Sequence, residues 1–146
     1  MSPLDALAYL RRKRLAVIAS TSLVGHVQAA LVGYGISDDF EVIFDTLGTT
    51  RKAINLRARP YCAVVVGDEE EITVQIEGLA DEPTGEELKH AKRIYFAAYP
   101  DGPEREGWKD ITYFRIRPTW LRLSDYRPAT FGAQEWAGDE LIASRN

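Results

Sequence analysis

The order of the predicted elements is the feature that most constrains the fold of this chain. Runs rich in β-branched and aromatic residues, typical of strands, cover residues 15–21, 27–36, 40–46, 61–66 and 72–77. A last run, residues 111–126, predicts one or two strands broken at Pro118. One helix follows the third run and another precedes the last, so the chain lacks the regular alternation of a parallel fold. We therefore expect a mainly β fold with flanking helices, closed as an antiparallel barrel.

Local signals predict where two of the helices begin. Ser2 followed by Pro3 is typical of a helix start and places an N-terminal helix within residues 1–13. The four residues from Thr84 to Glu87 have the pattern of a capping box, which predicts the start of the helix before the last strand.

Length and composition limit the class of protein. A chain of 146 residues predicts one domain, residues 1–146, whose C-terminal tail, residues 127–146, lies over the surface or stays mobile. The formal net charge of −4 gives no reason to expect a nucleic-acid or membrane partner. One cysteine, Cys62, and two histidines form neither a disulfide nor a four-ligand Cys/His zinc site. We therefore expect no metal and a reducing, cytoplasmic location.

Motifs of self-contained catalysis are absent from the sequence. It contains no nucleophile elbow, no HExxH and no P-loop pattern, so it offers no candidate general acid or base. Gly33-Tyr34-Gly35 lacks the third glycine of a dinucleotide-binding fingerprint and is interpreted as a bulge or a close backbone approach. Cys62 lies in an apolar strand, where a small buried side chain is the simplest interpretation.

The segment from residue 47 to residue 56 suggests a binding site for an anion. It follows a strand and opens a helix, and Arg51 and Lys52 fall in the first turn of that helix. Cations there oppose the partial positive charge of the unpaired N–H groups, and a bound anion would remove the conflict. The hydroxyls of Thr49 and Thr50 add donors, so the pattern predicts a phosphate site. The alternative is a solvated basic turn.

Four segments in order, residues 27–32 (VQAALV), 42–46 (VIFDT), 50–56 (TRKAINL) and 60–65 (PYCAVV), resemble one family. They are similar to the pyridoxamine 5′-phosphate oxidase-like family of FMN-binding split barrels, and the likeness extends from about Arg14 to Ser124. The Thr-Arg-Lys helix start between two strands is its most specific element.

The resemblance implies a split β-barrel that forms a homodimer, with FMN at the subunit interface. It implies that Thr50, Arg51 and Lys52 bind the phosphate. It further implies that the strand before them lines the flavin, through Phe44, Asp45 and Thr46. Backbone and packing contacts to the same ligand are expected from the second strand, at Gln28, Ala29, Ala30, Leu31 and Val32.

Two positions depart from the family pattern. Gln28 stands where the pyridoxamine phosphate oxidases have an arginine that reaches the phosphate, so the predicted site is one charge weaker. Arg122-Leu123-Ser124 stands where those oxidases have an Arg-x-His that holds the pyridoxal ring. We therefore do not expect oxidation of vitamin B6 phosphates.

The resemblance, together with the predicted phosphate site, implies an FMN-dependent oxidoreductase that transfers hydride or electrons to or from a small molecule. The flavin supplies the difficult chemistry in such proteins, so a recognisable acid–base residue is not required. Two alternatives remain at this point: a deazaflavin-dependent reductase on the same barrel, and a flavin- or haem-binding module without turnover.

Overall fold

The structure is a computed structural model that describes residues 1–144; residues 145 and 146 of the predicted tail lie outside the described residues. The elements in chain order are α1 (Pro3–Arg12), β1 (Leu15–Thr21), β2 (Val27–Gly33), β3 (Gly35–Ile36), β4 (Val42–Leu47), α2 (Arg51–Ala58), β5 (Tyr61–Gly67), β6 (Ile72–Asp81), α3 (Gly85–Ala98), a short 3₁₀ helix (Gly102–Arg105), β7 (Ile111–Asp125), β8 (Gly132–Ala137) and α4 (Gly138–Ala143).

The strands form a mainly antiparallel sheet that curls into a half-barrel with flanking helices, as the split-barrel prediction requires. The sheet order is β2-β1-β5-β6-β7-β4-β3, and β8 pairs with β7. Every pairing is antiparallel. On one edge β7 pairs first with β4 and then with β8, while on its other edge β6 pairs with residues 115–125. The prediction of an antiparallel barrel is therefore confirmed.

The main core fills the inside of the curled sheet. Side chains from β1, β4, β5, β6 and β7 alternate into it, and α1 covers one end through Leu7 and Leu10. A second, smaller cluster lies on the opposite side of β4 and β7, where α3 packs through Ala91 and Tyr95. Because β4 separates the two clusters, both of its faces are buried.

Helix α1 begins as its sequence signals predict. Ser2 is the N-cap, and its hydroxyl accepts a hydrogen bond from the backbone N–H of Asp5 at 3.3 Å. The Asp5 carboxylate accepts from the backbone N–H of Ser2 at 2.6 Å, which completes a reciprocal capping box. The Ser2 hydroxyl also donates to the Asp5 carboxylate at 2.9 Å, and this bond, together with the one from the Ser2 N–H, holds the pKa of the Asp5 carboxyl below its usual value.

The capping box predicted for α3 is wrong. Thr84 is the N-cap, but its side chain makes no capping hydrogen bond. Gly85 adopts a left-handed φ of 59°, a conformation that glycine tolerates at little cost. The Glu87 carboxylate instead accepts a hydrogen bond from Arg115 of β7 at 3.2 Å. A long-range partner therefore takes the side chain that the local pattern assigned to the cap.

The predicted strand over residues 27–36 divides at Tyr34 into β2 and β3. Gly33 still pairs with β1, whereas Gly35 pairs with β4 at the far end of the sheet order. Both glycines allow close approaches: a Cβ on Gly33 would overlap the ring of Tyr99, and one on Gly35 would lie 2.9 Å from the carbonyl oxygen of Ile94. The interpretation of Gly33-Tyr34-Gly35 as a close packing is confirmed.

Strand β7 continues through Pro118 without a break. Pro118 lies between the residues that pair with β4 and those that pair with β8, so the missing N–H costs no pairing on that edge. On the other edge the register of β6 shifts between Glu77 and Gly78, opposite the proline. The pairing skips Thr119, so a bulge in β7 itself, directly after Pro118, accommodates the residue at which the strand was expected to break.

The tail is more ordered than the sequence predicts. Strand β8 pairs with the second half of β7, and α4 follows it directly. Leu141 of α4 is fully buried in the main core, and Trp136 of β8 packs against that core. Apolar residues spaced along this tail bury surface against β7, which the local sequence pattern alone does not reveal.

None of the helices described within residues 1–144 has the length and hydropathy to traverse a lipid bilayer. The side chain of Cys62 is buried, and burial raises the pKa of its thiol to about 12. The interpretation of Cys62 as a small buried side chain is therefore confirmed.

Candidate functional site

The start of α2 is fixed by the core and by the hydroxyl of Thr50. Ala53 and Leu56 are buried in the main core and anchor the helix. The Thr50 hydroxyl accepts a long hydrogen bond from the backbone N–H of Ala53 at 3.4 Å and donates to the carbonyl of Leu47 at 2.9 Å. It also lies 3.1 Å from the hydroxyl of Thr46. With its single O–H committed to Leu47, this hydroxyl is not the free phosphate donor that the sequence suggested.

A pocket of about 170 Å³ opens where α2 meets the ends of β1 and β2. Its lining consists of Ile18, Ser20, Gln28, Ala29, Ala30, Thr50, Arg51 and Lys52. The fold thus brings together two groups of predicted site residues that lie about twenty positions apart in the sequence. Thr49, whose hydroxyl was expected to contribute, does not line this pocket.

The pocket carries two cations that no side chain in the described part of the chain neutralises directly. Within residues 1–144, the side chains of Arg51 and Lys52 form neither a hydrogen bond nor an ion pair. Burial lowers the pKa of the Lys52 ammonium, and the more distant charge of Asp45 opposes this shift only in part. The first N–H groups of α2 have no intrahelical partner either. The site therefore offers positive charge and donors to an anion.

Ser20, which lines the pocket, and Asn55, which lies behind that lining, were not recognised as site residues from the sequence. Asn55 is buried, and its Nδ2 donates to Ser20 Oγ at 3.1 Å and to Gln28 Oε1 at 2.9 Å. These two bonds join α2 to β1 and β2 behind the cations. The signal in the sequence was a polar residue on the buried side of a short helix, where a hydrogen-bonded partner is expected.

Other predicted site residues point away from the pocket. Phe44 is fully buried in the main core, stacked on Phe114 with ring centroids 5.7 Å apart. Val32 is also buried in that core, whereas Leu31 is exposed on the opposite side of β2. Thr46 is buried and reaches the site only through the Thr50 hydroxyl. The structure therefore leaves chiefly backbone atoms of Val32 and Phe44 for a ligand, and their role stays a prediction.

Asp45 is committed to a polar cluster beside α3. Its carboxylate accepts from Tyr95 Oη and from Arg105 Nε, both at 2.9 Å. Arg105 also donates to Asp101 at 2.9 Å and to Tyr95 Oη at 3.0 Å. Burial and the neighbouring Asp45 carboxylate raise the pKa of the Tyr95 hydroxyl. Two groups, Tyr95 Oη and Arg105 Nε, already bind the Asp45 carboxylate, and the expectation that this side chain lies along a flavin stays a prediction.

A larger pocket of about 560 Å³ lies at the other end of β6 and β7. It is bounded by α1 and the segment after β7, and Arg12, Tyr9 and Arg127 contribute to its wall. Arg127 is already bound by Asp125, with an Nη2 to Oδ2 distance of 2.7 Å. None of the predicted site residues lines this pocket, so size alone does not identify the functional site.

The outer face of β1, β2 and β5 is apolar and open to solvent. Cross-strand neighbours Leu31, Val17 and Val65 form one row on this face, and Ala29, Ala19 and Ala63 form the next. Exposed large side chains on the same three strand faces are Leu15, Val27, Leu31, Tyr61 and Val65. Isolated apolar residues are common on protein surfaces, but a continuous apolar sheet face marks a contact surface.

Comparison with known proteins identifies the family. Residues 5–125 match the family model for pyridoxamine 5′-phosphate oxidase. The chain belongs to the pyridoxamine 5′-phosphate oxidase family. The match covers β1 to β7 together with α2 and α3, so it includes the whole pocket at the start of α2. No curated protein matches the chain.

Solved structures of the family's fold bind different prosthetic groups. The chain is similar to a haem-binding protein from Mycobacterium smegmatis, with a TM-score of 0.85 and 18% identity over 98% of this chain and 60% of that one. It is similar to an FAD-binding protein from Mesorhizobium loti, with a TM-score of 0.68 and 19% identity over 83% and 90% of the two chains. It is also similar to a candidate pyridoxamine 5′-phosphate oxidase from Listeria innocua, with a TM-score of 0.67 and 19% identity over 83% of this chain and 96% of that one. This chain thus spans 60% of the length of the M. smegmatis protein.

Proposed function

We propose that the chain binds FMN and transfers hydride or electrons through it to or from a small molecule, as a homodimer. The observation that carries the proposal is the pair Arg51 and Lys52, which lie beside Gln28 at the start of a helix and have no direct partner within residues 1–144. Membership of the pyridoxamine 5′-phosphate oxidase family and an FAD-binding structural relative support a flavin as the ligand.

The residues of the pocket fit a terminal phosphate. A phosphate monoester carries about −1.5 to −2 charges at pH 7, which the charges of Arg51 and Lys52 balance. Arg51 can bind two oxygens at once, and the first N–H groups of α2 can bind a third. FMN ends in such a monoester, so its phosphate satisfies both cations without a further counterion.

The chain's own residues bind and orient the cofactor rather than exchange protons with a substrate. When bound, the flavin supplies hydride or electron transfer, which needs no acid or base from the protein. Asn55 and Ser20 hold the pocket wall, while Ala29 and Ala30 allow close approach to the backbone of β2. Catalytic side chains in the strict sense are therefore not assigned.

A homodimer is proposed because one subunit encloses only part of such a ligand. Small-molecule sites usually measure about 300–1,000 Å³, whereas this pocket measures about 170 Å³. The rest of a flavin would lie outside the pocket, beside β2 at the edge of the sheet. The apolar outer face of β1, β2 and β5 would pack against a second copy, which would cover the exposed part of the flavin.

The visible spectrum of the purified protein, with mass analysis of the released ligand, tests this proposal. We expect flavin absorption and release of one FMN per subunit after reconstitution with a mixture of FMN, FAD and riboflavin. Parallel reconstitutions with haem and with a deazaflavin cofactor test the two alternatives. Tighter binding of either one than of FMN, or the absence of any binding of FMN, would overturn the proposal.

A further inference from the structure

We infer that Asn55 is a positioning residue that fixes the direction of the Gln28 carboxamide, so that its NH₂ group rather than its oxygen faces a bound phosphate. This inference rests on the proposed phosphate site. Asn55 is buried in α2 and does not line the pocket, yet by this inference it controls which flavins the site prefers.

The geometry of the hydrogen bonds gives the direction. Asn55 Nδ2 donates to Gln28 Oε1 at 2.9 Å and to Ser20 Oγ at 3.1 Å, so both of its N–H bonds are used. A carboxamide presents its oxygen and its NH₂ group on opposite sides. Because Asn55 holds the side-chain oxygen of Gln28, the NH₂ group of Gln28 turns away from the buried face of α2. This NH₂ group forms no hydrogen bond within residues 1–144.

The electrostatics of the pocket make this arrangement significant. Arg51 and Lys52 line the same pocket, and their charges attract the negative end of the Gln28 dipole. In the absence of a bound anion, the cations alone therefore favour an oxygen turned towards the pocket. The two bonds from buried Asn55 oppose that rotation and keep a donor ready for the anion.

Gln28 thus contributes a third donor without adding a third charge. A hydrogen bond to a charged group contributes more than a neutral one, so the NH₂ group favours ligands that place phosphate in the pocket. A flavin without phosphate gains nothing from it. We therefore expect the ratio of FMN affinity to riboflavin affinity to depend on Asn55.

The main test replaces Asn55 by an isosteric residue that cannot donate. In Asn55→Asp, the new carboxylate accepts from the Gln28 NH₂ group, and the Gln28 oxygen turns towards the pocket. We expect FMN affinity to fall about ten- to hundred-fold while riboflavin affinity stays within about two-fold. Fluorescence titrations with FMN and riboflavin give both values.

A double-mutant cycle separates positioning from the added negative charge. In a Gln28→Ala background, Asn55→Asp still adds a charge but has no carboxamide to turn. We expect its effect on FMN affinity to be much smaller there than in the wild type. An equal effect in both backgrounds, or an equal loss of FMN and riboflavin binding, would overturn the inference.

Two further variants keep the inference testable if Asn55→Asp does not fold. Gln28→Glu leaves Asn55 to bind one carboxylate oxygen and turns the other to the pocket, so FMN affinity should fall. Gln28→Met removes the donor without adding charge, so it should weaken FMN by a smaller factor. Unchanged or tighter FMN binding by Gln28→Met would show that no donor faces the anion.

The wild-type protein distinguishes the two levels of failure. Wild-type protein that binds FMN no more tightly than riboflavin refutes the phosphate site itself, and the inference with it. Wild-type protein that prefers FMN, combined with Asn55 variants that keep that preference, refutes only the role of Asn55.

Discussion

The pair Arg51 and Lys52 is costly unless an anion binds between them. Both lie in the first turn of α2, where positive charge opposes the helix dipole, and burial lowers the pKa of Lys52. Neither side chain forms an ion pair with any group in the described part of the chain. Residues kept in a locally unfavourable state are expected where function requires them.

Removing both cations should separate cofactor binding from stability. For Arg51→Ala with Lys52→Ala we expect FMN affinity to fall by about two to four decades, since each contact to phosphate contributes roughly 1.5–3 kcal/mol. The free energy of unfolding of the cofactor-free protein should stay unchanged or rise slightly. Titration with FMN and urea unfolding measure the two quantities.

A matched control changes the same number of charges elsewhere. Lys89 and Arg93 are exposed on α3, away from the pocket, and both can be replaced by alanine. If this control weakens FMN as much as the pocket variant does, the loss reflects net charge rather than a phosphate contact.

Lys52 also predicts how FMN affinity depends on pH. Its pKa in the free protein lies below the ordinary lysine value, and a bound phosphate should raise it again. Affinity should therefore fall as the pH rises through the free-protein pKa of Lys52. It should also fall below pH of about 6, where the phosphate takes up a proton. Lys52→Arg should remove the alkaline decrease, because arginine stays charged, while riboflavin binding should show neither limb.

At the scale of single residues, the sequence predicted the cations but not every partner. Gln28, Ala29, Ala30, Arg51 and Lys52 meet in one pocket because β2 and α2 are adjacent in the fold. The fate of Asp45 depends on Arg105, sixty residues later, and no local pattern reports that contact. The same limit hid the hydrogen bonds of Asn55.

At the scale of elements, hydrophobic periodicity predicted strands well where their side chains alternate between a buried and a more exposed face. The bounds of β1 were predicted without error, since its residues alternate between the core and the outer face. The tail was not predicted, because the stability of β8 and α4 comes from an edge of β7 that only the folded sheet provides. The break predicted at Pro118 was wrong for the same reason. The proline fits in β7 because it lies between the residues that pair with β4 and those that pair with β8.

The buried position of α4 leads to a prediction of stability. Leu141 is fully buried, whereas Ile142, its neighbour in the same helix, is 51% exposed. Leu141→Ala should lower the free energy of unfolding by about 2–5 kcal/mol, because it leaves a cavity in the main core. Ile142→Ala should cost less than about 1 kcal/mol. Similar losses for both variants in urea unfolding would contradict the placement of α4 against the core.

At the scale of the whole molecule, the apolar outer face predicts the state of assembly. We expect a dimer in sedimentation experiments at micromolar concentration. Leu31→Glu should weaken it strongly, because a charge would be buried at the centre of the contact. Leu4→Glu makes the same chemical change at an exposed position of α1 and should leave the dimer intact. A wild-type monomer that still binds FMN would contradict the proposed shared site.

The structure of β7 also bears on a substrate that we do not expect, pyridoxamine 5′-phosphate. The segment Arg122-Leu123-Ser124 lies in β7, and Arg122 is bound to Glu135 of β8, with an Nη1 to Oε1 distance of 2.7 Å. No histidine is available there to hold a pyridoxal ring. We expect the FMN-loaded protein to oxidise pyridoxamine 5′-phosphate orders of magnitude more slowly than enzymes typically act. Rapid formation of pyridoxal 5′-phosphate, followed by absorbance, would contradict this.

The division of one edge of β7 between β4 and β8 has a consequence for how the molecule opens. The pairing between β6 and β7 uses the opposite edge of β7 and requires neither β4 nor β8. The unit formed by β8 and α4 and the unit formed by β3 and β4 attach to this ladder at separate places. Each can therefore detach in a local fluctuation while the other stays in place. The amide protons in the hydrogen bonds between β6 and β7 should then be the slowest in the sheet to exchange with solvent.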